Sequence, residues 1–158
     1  MILSRDSQAL LLLCSHLGFQ SNPDPVPLTL RDWNPIARKL QTETLRPGSL
    51  FDFSEQDIAM RLSLTLEEAQ RISRLLERGG SIAIELERLE SLGIRVITRA
   101  DEDYPQRYRQ RLKDSAPAIL FYAGNKDLLG QRGIAVVGSR NVDQVGKDCA
   151  AYIGNAWI

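Results

Sequence analysis

The residues best placed to do chemistry in this chain are Gly138, Ser139 and Arg140, followed by Gly146 and Lys147. Before them, Ile134-Ala135-Val136-Val137 reads as a buried strand of the parallel type. After them, Cys149, Ala150, Ile153 and Trp157 mark a helix. A strand, a glycine turn and a helix in that order place free N–H groups and about half a positive charge beyond the strand's carboxyl end. The natural ligand of such a place is an anion. Gly138 allows close backbone approach, Ser139 donates a hydroxyl, Arg140 clamps a phosphate with its planar fork, and Lys147 adds a second positive charge.

The common nucleotide loops do not fit this spacing. A Walker loop needs four residues between its first glycine and Gly-Lys, then Ser or Thr; here seven residues separate Gly138 from Gly146, and Asp148 follows Lys147. A dinucleotide fingerprint needs glycine where Arg140 stands, and the arginine would fill the place of the pyrophosphate. An ATPase and a NAD or FAD enzyme are both disfavoured. Asp143 brings a negative charge near the anion position, or caps the helix that follows.

The 158 residues carry 20 basic and 20 acidic side chains, so any contact with nucleic acid has to be local rather than a property of the whole surface. Cys14 and Cys149 have no metal-ligand spacing, and the single histidine, His16, lacks a triad partner. Cys14 and His16 read as core and core-edge residues of a first helix, and no metal or cofactor is expected. The longest apolar run, Ala9 to Cys14, is far short of the ~20 residues that cross a bilayer, which points to a soluble cytoplasmic protein without membrane contact.

Several elements must position the turn. Residues 1–92 read as an all-helical domain, of SAM-like or helix-hairpin-helix-like kind. Its first helix carries Ile2, Leu3, Ala9, Leu10, Leu13 and Leu17 and ends at Gly18. A loop with three prolines follows from Asn22 to Pro27, and Asn34-Pro35 signals the next helix start. Ser54 with Asp57 and Thr65 with Glu68 predict two capped helices, and Gly79-Gly80 is expected to stop the second before Ser81 caps another that runs to Gly93. The Ser63-Leu64-Thr65 connection lacks the glycines of a DNA-binding hairpin, so this pair reads as packing alone.

From residue 93 to 158 the character changes. Ile94 to Thr98 and Ala118 to Tyr122 read as strands, with a short helix from Pro105 to Lys113 between them. Arg99, Arg107, Arg109, Arg111 and Lys113 interleave with Tyr104 and Tyr108, a mixture able to track a single strand. The reading preferred for them is structural, with Tyr108 and Leu112 facing inward and Arg107 and Arg111 forming a solvated face. The expected fold class is α+β to α/β: a helical domain, then the first βα elements of an incomplete extended Rossmann-like domain.

Tyr104-Pro105, the stretch Ala116 to Asn125, and Ala135-Val136-Val137-Gly138-Ser139-Arg140 with Gly146 fall in the order and spacing of the DprA/Smf family of DNA-processing proteins, which this chain resembles from about Gly93 onward. The resemblance implies a non-enzymatic role: binding single-stranded DNA and handing it to the recombinase RecA in natural transformation, with a homodimer possible in the complete protein. It also implies that Gly138, Ser139 and Arg140 line the DNA pocket. Asp143 stands where the family often has Thr, and Val145 where it often has an aromatic residue. The alternatives are a nucleotide-processing enzyme of the lysine-decarboxylase-like phosphoribohydrolase group, whose later Pro-Gly-Gly loop does not occur here, and a helical interaction module. Only eleven residues follow Lys147, so the second domain is expected to be unfinished, with Ile134 to Ile158 poorly ordered or associated with another chain.

Overall fold

The computed structural model describes residues 3–19, 23–133 and 136–156. Ile2, Asn22, Ile134, Ala135, Trp157 and Ile158 of the sequence reading lie outside these. The fold is α+β, mostly helical with one small antiparallel sheet.

Helix α1, Arg5–Cys14, is its centre. The Ser4 hydroxyl accepts from the Ser7 N–H at 3.1 Å to start it, and Ala9 to Leu13 are all buried. A helix apolar nearly all round has to be covered on every side. Leu10 and Leu13 point into a main core with Trp33, Ile36, Leu40, Ile58, Ile72 and Leu75. Leu11 and Leu12 point into a second with Ile82 and Val96.

The helix ends at Cys14 rather than at Gly18. Ser15 turns extended and its hydroxyl donates back to the Leu11 carbonyl at 2.6 Å, leaving His16 exposed beyond the end and Cys14 half-buried. Gly18 does take a left-handed backbone, at φ +78°, but in the turn that follows. A Cβ there would meet Ser81 Oγ at 2.7 Å and the Ser81 backbone carbon at 3.1 Å, so the glycine serves a close approach to another helix.

Helix α2 spans Leu30–Thr42, with Thr29 and Asp32 in a reciprocal capping box. Pro35 therefore lies inside the helix, not at its start, and Asn34 is not a cap. The Asn34 side chain instead donates to the Asp114 carbonyl at 2.9 Å. Helices α3, Glu55–Leu62, and α4, Leu66–Leu76, begin with the two expected capping boxes. Ser63, between them, adopts a left-handed backbone at φ +53° without being glycine. Helix α5, Gly79–Ser91, starts on the two glycines expected to separate it from α4. The expected separation is made, but at Glu77 and Arg78, just before the glycines; neither glycine has a positive φ, and the Ser81 hydroxyl bonds the Arg78 carbonyl at 2.9 Å instead of capping. Gly93, at φ +72°, ends α5 as expected.

Strand β1, Ile94–Thr98, pairs antiparallel with β2, Ile119–Ala123, so that Val96 faces Phe121 and Thr98 faces Ile119. Helix α6, Gln106–Leu112, lies between them in sequence. The expected third strand is not formed in its described part: Val136 and Val137 belong to no strand, and Val137 is 92% exposed. A strand of the buried parallel type needs neighbours on its edges and both faces, and among the described residues none covers this one. Helix α7, Gln144–Asn155, does form, yet none of its described residues is buried.

Two polar clusters anchor α1. At its start, the Ser7 hydroxyl bonds Asp101, whose carboxylate also accepts from the Thr98 N–H at 2.7 Å and the Thr98 hydroxyl at 3.0 Å. Ser7 and Thr98 are fully buried, so these bonds replace water they cannot reach. At its end, the Arg78 guanidinium donates to the carbonyls of Leu12, Leu17 at 3.2 Å and Ser15 at 3.4 Å, and lies 4.1 Å from the Phe19 ring centroid. A helix end leaves several carbonyls without partners, and one arginine collects them here.

Replacing Arg78 with Met is expected to lower stability by about 2–4 kcal/mol in urea denaturation, because part-buried carbonyls lose a charged donor; a loss under about 0.5 kcal/mol, the usual surface effect, would show the cluster to be incidental. A second outcome follows from pH. The Ser54 hydroxyl, then its N–H, holds Asp57 below the ordinary carboxylate range, and the Thr65 N–H, then its hydroxyl, does the same for Glu68. With folded values below unfolded ones, both caps contribute fully at neutral pH and are lost as pH falls through the folded values. Acid titration of helicity by circular dichroism should show this loss, and Asp57→Asn with Glu68→Gln should flatten it.

Candidate nucleic-acid interface

The turn singled out by sequence stands clear of the rest of the fold. Gly138, Ser139 and Arg140 are exposed, and a Cβ built on Gly138 would meet nothing within 4 Å. Among the described residues, nothing packs where a side chain at Gly138 would lie. The Ser139 oxygen accepts from the Asn141 N–H at 3.2 Å, which leaves its O–H free to donate outward. Arg140 and Lys147 are exposed and form no ion pair among the described residues. Arg140 lies in the turn and Lys147 in the first turn of α7.

Asp143 resolves one of the two readings open to it. It is the N-cap of α7, its carboxylate accepting from the Gly146 N–H at 2.8 Å. One of the helix's free donors is therefore already occupied by a negative charge. The helix start is a weaker anion site than the strand, turn and helix pattern implies, and attraction for a phosphate falls to Ser139, Arg140 and Lys147. Gly146 is tied to this cap, because a Cβ on it would collide with a Val142 methyl.

The interleaved basic and aromatic stretch divides in two. Tyr104 is buried and its hydroxyl donates to the Pro117 carbonyl at 2.8 Å. Arg109 spans the carbonyls of Arg99 at 2.6 Å and Asp101 at 3.1 Å, lying 5.3 Å from the Tyr104 ring centroid, and Arg99 reaches Asn34 Oδ1 at 3.2 Å. These are structural, as the preferred reading held. Two details differ. Leu112 is 44% exposed instead of facing inward, and Arg107 is half-buried with its guanidinium on the Gln131 carbonyl at 2.7 Å. With only seven residues, α6 buries none of its own side chains, and Lys113, at φ +49°, turns the chain away at its end. Arg111 and Lys113 remain exposed.

Two further features escaped the sequence reading. Leu128, in the 3-10 turn Lys126–Gly130, is 61% exposed across from α6, and the Ser7, Thr98 and Asp101 cluster binds the strand end to α1. The signal for the first was a pair of leucines set in a polar loop. The second joins residues too distant in sequence to leave a local pattern. Burial pushes the Cys14 thiol up to about 12, which keeps it protonated and unreactive at neutral pH.

Residues 95–157 match the family model of DNA recombination-mediator protein A. The DprA/Smf resemblance is thereby shown over that stretch, and the family it matches is one of DNA recombination mediators. No curated protein and no solved structure matches the chain. Ten of the 20 basic residues but seven of the 20 acidic ones fall in the DprA segment, so it carries a formal +3 and the remainder −3. The balanced total hides an asymmetry of the sign a nucleic-acid contact needs. Among the described residues no helix is long and apolar enough to cross a membrane.

The cap has a direct test. Asp143→Ala should speed hydrogen exchange of the Gly146 amide roughly fivefold, the equivalent of about 1 kcal/mol, while Asp143→Asn leaves it unchanged. Equal exchange in all three proteins would show that the cap is not made in solution.

Proposed function

We propose that this chain contributes to a recombination mediator by binding single-stranded DNA through its phosphates, at Gly138, Ser139, Arg140 and Lys147. The observation that carries the proposal is that the DprA-family match covers an exposed turn whose arginine has no partner of its own among the described residues. A single strand is flexible and offers phosphates without a fixed groove, so backbone N–H groups, a hydroxyl and mobile cations suit it better than base-edge readers do. The proposal includes the Rossmann-like character of residues 93–158, a helical domain over residues 1–92, delivery of the strand to a RecA-type recombinase, and a homodimer in the complete protein. A mediator acts by binding, and no covalent step is part of the proposal.

The test is single-stranded against double-stranded DNA binding across a salt series, with Arg140→Ala and Lys147→Ala. Each lost phosphate contact should flatten the log–log salt dependence on single strands by ~0.7. Unchanged affinity and slope in both variants would remove the turn from the site.

A further inference from the structure

Between α6 and the 3-10 turn Lys126–Gly130 lies a groove of about 390 Å³, lined by Arg107, Tyr108, Arg111, Leu112, Leu128 and Leu129 together with the Gln131 to Gly133 loop. Among the described residues, no carboxylate lines it. Its walls are held by the protein itself: the Arg107 guanidinium donates to the Gln131 carbonyl, joining α6 to the loop, and Tyr108 is braced edge-on against Tyr104, ring centroids 6.5 Å apart and planes at 76°. Leu112 and Leu128 nevertheless stay open to solvent, and Arg111 has no ion pair among the described residues. An apolar floor beside two guanidinium groups, without an acid, is complementary to a ligand with a flat apolar body and a negative charge.

We propose that this groove takes one nucleotide of a single-stranded DNA, its base against Tyr108, Leu112 and Leu128 and its phosphate on Arg111. The inference rests on the function proposed above and extends the contact beyond the glycine turn. The geometry allows one strand to meet both places. Gly133, on the groove's lip, precedes Gly138 by five residues, a span of at most ~18 Å of chain. Phosphate contact at the turn selects for charge; the groove adds contact with the base itself, which a phosphate clamp lacks.

The experiment compares binding of the full chain, by fluorescence anisotropy, to a thymidine oligonucleotide and to an abasic one of equal length. The variants are Arg111→Ala and Leu128→Ser, with Arg140→Ala as the comparator. Arg111→Ala should weaken both ligands about threefold to tenfold, and Leu128→Ser should weaken only the base-bearing one by a similar factor. Wild-type affinity in both groove variants, with Arg140→Ala weakened, would overturn the groove and leave the turn standing. Loss in the groove variants without loss in Arg140→Ala would do the reverse. If the unaltered chain binds neither oligonucleotide, both readings fall. An acidic peptide whose binding is lost in both groove variants while oligonucleotide binding is unaffected would assign the groove to a protein partner and overturn the proposal.

Discussion

Burying α1 on every side is the constraint to which the rest of the molecule answers. Five successive residues, Ala9 to Leu13, are buried, and each of the four leucines contributes about 1.5–3 kcal/mol by its burial. Such a helix needs cover from several directions, and α2, α4, α5 and the β1–β2 pair supply it. It also presents two polar ends inside the protein. The Ser7, Thr98 and Asp101 cluster satisfies one and Arg78 the other, so the elements that cover α1 are also those that complete its hydrogen bonds.

This arrangement ties the DprA segment to the helices before it. Thr98 and Asp101 hold the end of β1 against α1, while Asn34 and Arg38 of α2 engage Asp114 just after α6. Lys126 on Asp103 and the Gln131 carbonyl on Arg107 still tie the loop after β2, whereas the described residues of the glycine turn and α7 pack into neither core. The segment thus has a fixed base and an exposed outer part carrying Arg140 and Lys147, a division suited to holding a flexible polyanion away from the apolar interior.

What could be read from sequence was what local chemistry determines. Both capping boxes, Gly93, the strand Ile94–Thr98 and the Asp143 cap depend on neighbours within a few residues, and each is where the pattern implies. The failures share a different cause. Pro35 mimics a helix start, yet Thr29 and Asp32 set the true one; the break between α4 and α5 falls at Glu77 and Arg78, so Gly79 and Gly80 open the new helix and Ser81 is not its cap. Leu112 fits an inward stripe only if α6 has something to lie upon, and α6 is too short and too far out to bury it. At the candidate site, the residues of the turn could be named from sequence while the α6 groove could not, because the groove joins a helix to a 3-10 turn that follows the next strand.

The central claim is that single-stranded DNA meets this protein on the outer part of the DprA segment and not on its helical front. The most direct measurement is a map of backbone amide shifts as a thymidine oligonucleotide is titrated into the full chain. The account predicts changes at residues 138–147 and at Arg111 and Leu128, with α3 and α4 unmoved. Changes confined to α3 and α4, with residues 138–147 silent, would contradict it.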